Sequence, residues 1–277
     1  DILIAGHIVK DLVSDGWRAG GGALYASAQA RALGLSTAVV TACGPDIEPT
    51  AELHGVEWHV APSASTTTFE NTYRDSVRTQ RLGERGRELT LDDIPAAWLD
   101  APIVLLTPVF HDVAPELPGK LIGPGRLVGL GAQGWLRRLD GDRVLPGTFE
   151  PRPGWLHGNV VFVSEEDVSD AEAVAAWRQQ VPVVVLTLGR RGCIVWDDGG
   201  RHETPALYSQ EVDPTGAGDV FAAAFLVRYH EIHDAVAAAR FAAAAAALKL
   251  RSFGLDGIGG RNQIEALLAE AAAVQAR

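Results

Sequence analysis

Residues 213–221, Asp-Pro-Thr-Gly-Ala-Gly-Asp-Val-Phe, are the part of the sequence best suited to chemistry. The small residues at 216–218 leave backbone N–H groups unobstructed, and the apolar run 220–226 indicates that a helix begins there. A helix N-terminus carries a partial positive charge, so this segment predicts an anion hole for a phosphoryl group. Asp219 falls in the first turn, where its carboxylate could accept the proton of an attacking hydroxyl.

A second glycine pattern, at residues 129–134, matches G-x-G-x-x-G after an apolar run, and Glu150 follows about 20 residues later. This arrangement is typical of an NAD-dependent oxidoreductase with a dinucleotide-binding unit. That unit needs a full helix after the glycines, whereas Asp140-Gly141-Asp142 interrupts the segment after two turns at most. The oxidoreductase is kept as an alternative, although the interruption at 140–142 opposes it.

Other reactive residue types lack the spacing of a known site. His230 and His233 are spaced i, i+3, which is not the H-E-x-x-H pattern of a zinc site, and no G-x-x-x-x-G-K-[ST] phosphate loop occurs. The two cysteines, Cys43 and Cys193, have no redox or zinc spacing. We expect both to be buried and reduced.

The elements that position residues 213–221 follow from apolar runs that alternate with helical segments. Such runs, without polar alternation, are typical of parallel strands covered on both faces. The pattern predicts an α/β fold in a single domain, 1–277, with a doubly wound, mostly parallel sheet flanked by helices. The predicted strands are 1–6, 36–42, 103–106, 127–130, 160–163 and 183–188, with a strand-like segment at 207–212; the predicted helices are 23–33, 170–179, 216–228, 233–250 and 263–275.

Residues 65–82 do not fit a parallel core. Residues 66–73 favour a β-strand, in which Phe69, Asn71 and Tyr73 share one face, and residues 78–82 could pair back as a hairpin. This hairpin is predicted to be either a small β lid over a site or an ordinary surface hairpin.

Composition excludes several classes of protein. The 277 residues are 47% hydrophobic and 21% charged, which excludes a disordered chain. The net charge of −11 opposes binding to nucleic acid. No uncharged apolar run reaches the length of a membrane span, because Arg240 and Lys249 interrupt the longest candidate at 235–250. No signal peptide is recognised, so we expect a cytoplasmic protein without membrane or nucleic-acid partners.

Taken together, the motifs resemble the ribokinase (PfkB) carbohydrate kinase family. Residues 213–221 resemble its C-terminal signature, and Gly21-Gly22-Ala23 with Leu33-Gly34 resembles its N-terminal di-glycine signature. Residues 6–11 look like the first strand and sugar-binding Asp of the family. Thr187-Leu188-Gly189 with Gly192 looks like its nucleotide-binding strand and turn. The resemblance therefore covers most of the chain.

The resemblance implies a ribokinase-like fold with a small β lid and an ATP-dependent kinase that uses Mg²⁺. It implies a catalytic base at Asp219, a lid at 65–82 and a donor-site loop at 252–257. A monovalent cation such as K⁺ near Asp213 and Thr215, and a monomer or homodimer, are implied in the same way. The expected anion hole is Gly216, Ala217 and Gly218; the expected substrate contacts are Asp11, Gly21, Gly22, Asn71, Gln80 and Arg137; the expected nucleotide contacts are Thr187, Gly189, Gly192 and Thr215; and the expected Mg²⁺ ligands, through water, are Asp167 and Glu166.

Departures from the family pattern bear on the substrate. Ala26 stands where the family has Asn, and Ser164-Glu165-Glu166-Asp167 replaces its Asn-x-x-Glu motif. The short segment between Asp11 and Gly20 predicts a reduced lid. These changes favour a divergent branch that resembles inositol or other polyol kinases. Arg137 is either a substrate or phosphate contact or a solvated helix residue beside Arg138.

The sequence thus predicts phosphoryl transfer from ATP to a hydroxyl of a small sugar, an inositol-like polyol or a nucleoside. A non-catalytic sugar- or nucleotide-binding protein on a kinase fold is the main alternative, because a fold does not fix a function. The NAD-dependent oxidoreductase is the weaker one.

Overall fold

The computed structural model of the chain describes residues 1–74, 77–147, 157–168, 174, 177–207 and 210–275. Its strands form two sheets, one of nine strands and one of six. In chain order the strands are β1 (Ile2–Gly6), β2 (Val9–Val13), β3 (Gly16–Gly20), β4 (Thr37–Cys43), β5 (Glu57–Pro62), β6 (Thr68–Arg74), β7 (Val77–Leu82), β8 (Ile103–Thr107), β9 (Leu127–Gly131), β10 (Arg137–Asp140), β11 (Arg143–Pro146), β12 (Val160–Ser164), β13 (Val183–Thr187), β14 (Cys193–Asp197) and β15 (Gly200–Thr204).

The nine-stranded sheet has the order β15-β14-β13-β12-β9-β8-β1-β4-β5. Strands β13 to β5 in this order are parallel, and β14 and β15 add an antiparallel edge. The central strands β1 and β8 are buried along their whole length, because one apolar core covers each face of the sheet. The predicted α/β fold with a mostly parallel, doubly wound sheet is confirmed.

Helices of very different length cover the sheet. The long ones on one face contribute alanines and phenylalanines to a single core, in which α5 packs against both α1 and α6. Residues 177–179 form a 3-10 turn, and most of the predicted helix 170–179 lies outside the described residues. The helices are α1 (Gly22–Ala32), α2 (Pro49–Glu52), α3 (Leu117–Leu121), α4 (Gln133–Leu136), α5 (Ala217–Ile232), α6 (Ala235–Lys249) and α7 (Arg261–Gln275).

The six-stranded sheet has the order β10-β11-β7-β6-β2-β3. The predicted hairpin is present as β6 and β7, which pair antiparallel with Asn71 opposite Gln80. The sheet is larger than the sequence indicates, because the 11–20 segment itself supplies strand β3 and part of β2, and residues 137–146 add two more strands. A small apolar cluster that includes Val9, Phe69 and Val109 lies between this sheet and the central one.

The glycine pattern at 129–134 does not form a dinucleotide-binding unit. Strand β9 ends at Gly131, the four-residue α4 follows, and β10 begins at once. Gly134 is explained by packing, because a Cβ there would lie 2.3 Å from the carbonyl carbon of Pro108. Glu150 lies outside the described residues. The oxidoreductase alternative therefore loses its structural basis.

Three smaller expectations concern other segments. Residues 205–207 and 210–212 are not in a strand, so the strand-like interpretation of 207–212 was wrong for the part that is described. Cys43 and Cys193 are both buried and free, as expected. Within the described ranges, no helix combines the length and the apolar character needed to cross a bilayer.

Candidate active site

The residues predicted to do chemistry gather at the carboxyl ends of the parallel strands. Parallel α/β sheets place their ligand sites at this edge, outside the strand ends. The connections that follow β1, β8, β9, β12 and β13 begin at this edge, and α5 begins beside it. The residues of interest on these connections are Asp11 after β1, Arg137 after β9, Asp167 after β12, and Gly189 and Gly192 after β13.

Asp219 lies in the first turn of α5 and meets the di-glycine segment of α1. A Cβ at Gly22 would lie 2.8 Å from Asp219 Oδ1 and 2.6 Å from Thr107 Cβ. The absence of a side chain at Gly22 therefore lets the start of α1 approach the carboxylate. The structure brings together Gly22 and Asp219, which the sequence predicts for one site from distant parts of the chain.

The turn at residues 214–218 has the conformation expected at a helix N-terminus. Gly216 adopts a left-handed conformation, with φ of 78°, which favours glycine. The Ala217 N–H donates to the Pro214 carbonyl at 3.2 Å and is therefore used within the turn. A Cβ at Gly218 would meet nothing within 4 Å, so open space lies above this residue. Of the three residues expected to form an anion hole, Gly216 and Gly218 fit better than Ala217.

The electrostatic surroundings of Asp219 favour its protonated form. Burial raises the pKa of Asp219 to about 6, Arg137 acts to lower it, and the neighbouring Asp167 carboxylate raises it further. Part of the residue surface nevertheless stays accessible. A carboxylate whose pKa lies near the working pH is well matched to accepting a proton.

Arg137 is the first residue of β10 and is only 9% exposed. Its guanidinium donates to the Val109 carbonyl at 2.8 Å and lies 5.8 Å from the centre of the Phe69 ring. Its charge acts to lower the pKa of both Asp219 and Asp167. The alternative of a solvated helix residue was wrong, because Arg137 is a buried strand residue beside two carboxylates.

A chain of hydrogen bonds connects three of the predicted substrate contacts. The Asn71 amide donates to Asp11 Oδ1 at 2.9 Å, and the Gln80 amide donates to Asn71 Oδ1 at 2.9 Å. Asn71 on β6 lies opposite Gln80 on β7. Strand β2 pairs with the other edge of β6, so Asp11 on β2 lies within reach of Asn71. This network fixes the orientation of each amide and leaves a polar surface suited to hydroxyl groups.

Gly21 supports the same region through its backbone. It has a φ of 92° and precedes α1, and a Cβ there would lie 2.3 Å from the His7 carbonyl oxygen. The chain therefore reverses tightly between β3 and α1. The neighbouring Gly20 approaches Asp11 closely, with Asp11 Oδ2 lying 2.3 Å from where a Cβ would be.

Of the two predicted Mg²⁺ ligands, Asp167 is the one whose charge acts on Asp219. It is buried, and its carboxylate accepts from Gln133 Nε2 at 3.2 Å and from the Ser164 N–H at 3.3 Å. Burial raises the pKa of Asp167, against the opposing effect of Arg137. Glu166 is exposed. In the described part of the chain, no cluster of three His, Cys, Asp or Glu side chains could hold a metal by protein ligands alone.

The predicted nucleotide contacts occupy two neighbouring turns. Thr187 ends β13, and Gly189 and Gly192 have φ values of 53° and 99° in the tight turn that follows. Gly192 permits a close approach, because a Cβ there would lie 2.0 Å from the Thr204 carbonyl oxygen. Thr215 donates its N–H to Asp213 Oδ1 at 3.0 Å.

The oxygens expected to hold a monovalent cation are already used by Lys249. Its ammonium donates to the Asp213 carbonyl oxygen at 3.0 Å and to Asp213 Oδ2 at 3.2 Å. Burial acts to raise the pKa of Asp213, but hydrogen bonds from Thr215 and Gly254 and the charge of Lys249 hold it below its usual value. A K⁺ ion coordinated by Asp213 therefore does not fit beside this ammonium.

The sequence analysis missed three residues that line or support this site. Thr107 ends β8, and its buried hydroxyl has no hydrogen-bond partner among the described residues. The Tyr25 ring packs against Gly216, where a Cβ would lie 2.2 Å from a ring carbon. Lys249 is fully buried at the end of an alanine-rich helix. A lysine at the end of an otherwise alanine-rich helix was a signal for such a role.

Comparison with known proteins identifies relatives of this arrangement. Residues 159–257 match the model of the pfkB family of carbohydrate kinases. A cytidine kinase from Thermococcus kodakarensis is 27% identical over 83% of this chain and 88% of its own length. An inositol 3-kinase from Oryza sativa subsp. japonica is 30% identical, over 80% of this chain and 61% of its own length.

Among solved structures, a sulfate complex of a pyrophosphate-dependent kinase in the ribokinase family superposes with a TM-score of 0.79. It is 25% identical, and the match covers 96% of this chain and all of that one. The family match includes the 213–221 motif with Asp219. The motif, the fold and these relatives agree, and the chain is similar to the pfkB (ribokinase) family of carbohydrate kinases.

Proposed function

We propose that this kinase transfers a phosphoryl group to a hydroxyl of a small sugar, an inositol-like polyol or a nucleoside. The observation that carries the proposal is the position of Asp219. Its carboxylate lies in the first turn of α5, beside Gly22 and next to open space above Gly218. A base and an anion-binding helix N-terminus therefore flank one volume, as an in-line transfer to a hydroxyl requires.

In the reaction, the Asp219 carboxylate accepts the proton of the acceptor hydroxyl as its oxygen attacks the terminal phosphorus of the donor. The new O–P bond forms while the bond from phosphorus to the leaving oxygen breaks, and the leaving group, ADP from ATP or phosphate from pyrophosphate, keeps that electron pair. The N–H groups of Gly216 and Gly218 and the dipole of α5 stabilise the charge on the transferring group. The pKa of about 6 keeps Asp219 ionised at neutral pH while leaving it basic enough to take a proton.

Mg²⁺ fits as a partner held by the donor phosphates and by water rather than by protein ligands. The negative charge of Asp167 raises the pKa of Asp219, and a cation held nearby would relieve this repulsion. When bound, the ion would neutralise phosphate charge in the transition state. Asp167 would orient one of its water molecules.

ATP is the donor that similarity to this family implies, and the turns at 187–192 and 252–257 are proposed to hold it. Phe253 in the second turn is 58% exposed, which offers an apolar surface for a base. Pyrophosphate is the donor to compare, because a related kinase of known structure depends on it. An adenine surface would be of no use with pyrophosphate, so the donor is decided by direct competition between the two.

The acceptor is proposed to be bound by the linked side chains of Asp11, Asn71 and Gln80. These offer carboxylate and amide groups whose orientation is fixed by two hydrogen bonds of 2.9 Å. Such a fixed set recognises neighbouring hydroxyls of a polyol or a sugar ring. The names of the cytidine and inositol kinases among its relatives agree with this class of acceptor.

The deciding experiment measures donor consumption with ATP and with pyrophosphate across a panel of inositols, sugars and nucleosides. We expect release of ADP, or of phosphate from pyrophosphate, that depends on one acceptor class and is lost in Asp219→Asn. If the donor binds but no acceptor in the panel causes its consumption, the result would contradict this proposal and support the non-catalytic binding protein. Acceptor-dependent turnover retained in Asp219→Asn would remove Asp219 as the base.

A further inference from the structure

The ammonium of Lys249 is buried against Asp213, the residue that begins the 213–221 motif. Lys249 is the last residue of α6, and its side chain is fully buried. Burying a charge is unfavourable unless partners compensate for it. The atoms that compensate for the buried ammonium therefore indicate its role.

Three oxygens surround this ammonium. Lys249 Nζ lies 3.0 Å from the Asp213 carbonyl oxygen, 3.2 Å from Asp213 Oδ2 and 3.4 Å from the Ser252 carbonyl oxygen. An ammonium has three N–H donors, so one partner is available for each. Two carbonyl oxygens and a carboxylate are also the ligand types that hard cations prefer.

The same ammonium connects the loops assigned to the donor. The carboxylate of Asp213, which this ammonium contacts, also accepts two backbone hydrogen bonds. The Thr215 N–H and the Gly254 N–H each donate to it at 3.0 Å. The ammonium also lies 5.5 Å from the centre of the Tyr25 ring, which packs against Gly216. Turn 213–216, loop 252–257 and helix α1 therefore share one buried positive charge.

We propose that Lys249 is a positioning residue that serves as a built-in monovalent cation, so that donor binding and turnover need no K⁺. This inference rests on the proposed function for turnover, and on the structure alone for donor binding. A loosely bound ion would lose translational freedom each time it ordered the turn, whereas the ammonium is already attached to the chain. Its charge holds Asp213 ionised and the N–H groups around Gly216 oriented.

The first test uses the wild-type protein, so it does not depend on a variant that folds. Binding of Mg²⁺-ATP and of pyrophosphate is measured by calorimetry in choline chloride, NaCl and KCl at constant ionic strength. We expect affinities within twofold of one another in the three salts, and turnover, where an acceptor is found, to follow the same pattern. A several-fold gain in donor affinity that is specific to K⁺ would overturn the proposal.

The second test removes the ammonium. Lys249→Ala is expected to lose at least tenfold in donor affinity in choline chloride and to regain most of it with saturating K⁺ or NH₄⁺. Lys249→Met, which fills the space without a charge, is expected to lose affinity without rescue. Lys120→Ala, which removes an exposed lysine on α3, is the control and should match the wild type.

The outcomes separate the two proposals. Donor affinity in Lys249→Ala equal to that of the wild type in choline chloride would overturn the role of Lys249, whatever the protein phosphorylates. Affinity that is lost and equally unresponsive to K⁺, NH₄⁺ and Na⁺ in a folded Lys249→Ala would also overturn it, in favour of a purely structural salt bridge. Absence of turnover in the wild type, with these binding results as expected, would contradict only the proposed function.

Discussion

Gly22, at the start of α1, leaves only 2.8 Å between the position of its missing Cβ and Asp219 Oδ1, at the start of α5. The two helices pack against each other beside the carboxyl ends of β1 and β8. The di-glycine segment thus provides a backbone position without a side chain, and the 213–221 motif provides the carboxylate that packs against it. In the proposed reaction, the acceptor hydroxyl would approach Asp219 beside this contact.

Asp219→Asn tests the base directly. The amide cannot accept the proton, so we expect turnover to fall by about 10²–10⁴-fold, the range typical of general-base catalysis. Donor and acceptor affinities should change far less, because the shape of the residue is kept. Steady-state kinetics with Asp198→Asn, an exposed carboxylate in the turn before β15, as the control will check this. Equal losses in both variants would argue against a specific role.

The same substitution has an opposite expected effect on stability. The pKa of Asp219 is about 6 when folded, against 3.8 as the ordinary value, so folding favours the protonated form. The contribution of Asp219 to stability is present below pH 3.8 and is lost as the pH rises through about 6. Above that pH the ionised group costs on the order of 3 kcal/mol. Asp219→Asn should therefore unfold at the same or higher denaturant concentration at pH 8, and a clearly less stable variant would contradict the raised pKa.

The pH dependence of turnover should report the same group. Since only ionised Asp219 acts as a base, kcat/KM is expected to be level above pH 7 and to fall about tenfold per unit well below pH 6. Arg137 acts to lower the pKa of Asp219, so Arg137→Gln should move this acid limb to higher pH. Arg138→Gln, the exposed neighbour on β10, is the matched control. A limb that stays in place in Arg137→Gln would show that the two side chains do not interact.

The anion hole is tested by adding a single methyl group. A Cβ at Gly218 meets no protein atom within 4 Å, so Gly218→Ala should fold normally and project the methyl into the space assigned to the phosphoryl group. We expect a loss of about 10²-fold or more in kcat/KM, comparable with loss of an oxyanion donor. Gly123→Ala, which also meets nothing within 4 Å, controls for the change of residue type. Wild-type kinetics in Gly218→Ala would place the phosphoryl group elsewhere.

The parts of this molecule that follow local patterns were predictable from the sequence. Strand β1 is a continuous apolar run, and helix α6 is an apolar run interrupted only by Arg240 and Lys249. The 213–221 motif combines glycines, a carboxylate and a helix start within nine residues. Each of these signals is contained in one short window, so it is visible without knowledge of the tertiary structure.

The rest depends on contacts between distant segments. Arg137 follows a glycine pattern typical of a helix start, yet the chain turns into β10 because β11 pairs with it and extends the six-stranded sheet. From the sequence, Lys249 is only a charge that interrupts an apolar helix. In the structure it pairs with Asp213, which is distant in sequence. Neither the pairing with β11 nor the contact with Asp213 can be predicted from the secondary-structure propensity of a short sequence window.

The acceptor site is tested through the hydrogen-bonded side chains of Asp11, Asn71 and Gln80. Gln80 is buried and holds Asn71 by a bond of 2.9 Å, so Gln80→Ala should loosen the Asn71 amide that in turn binds Asp11. We expect the acceptor KM to rise about tenfold, which corresponds to about 1.4 kcal/mol for one lost buried hydrogen bond. The donor KM should be unchanged.

Asp11→Asn should have a larger effect on the same constant, because it removes the charge at the end of the network. Hydrogen bonds to charged groups contribute about 1.5–3 kcal/mol, so we expect the acceptor KM to rise roughly 10–100-fold. Thr72→Ala, beside Asn71 but on the opposite face of β6, is the control. If the network acts as a unit, the double variant with Gln80→Ala will lose less than the product of the two single effects. Losses that multiply independently, or that fall on the donor KM instead, would show that these side chains do not form the acceptor site.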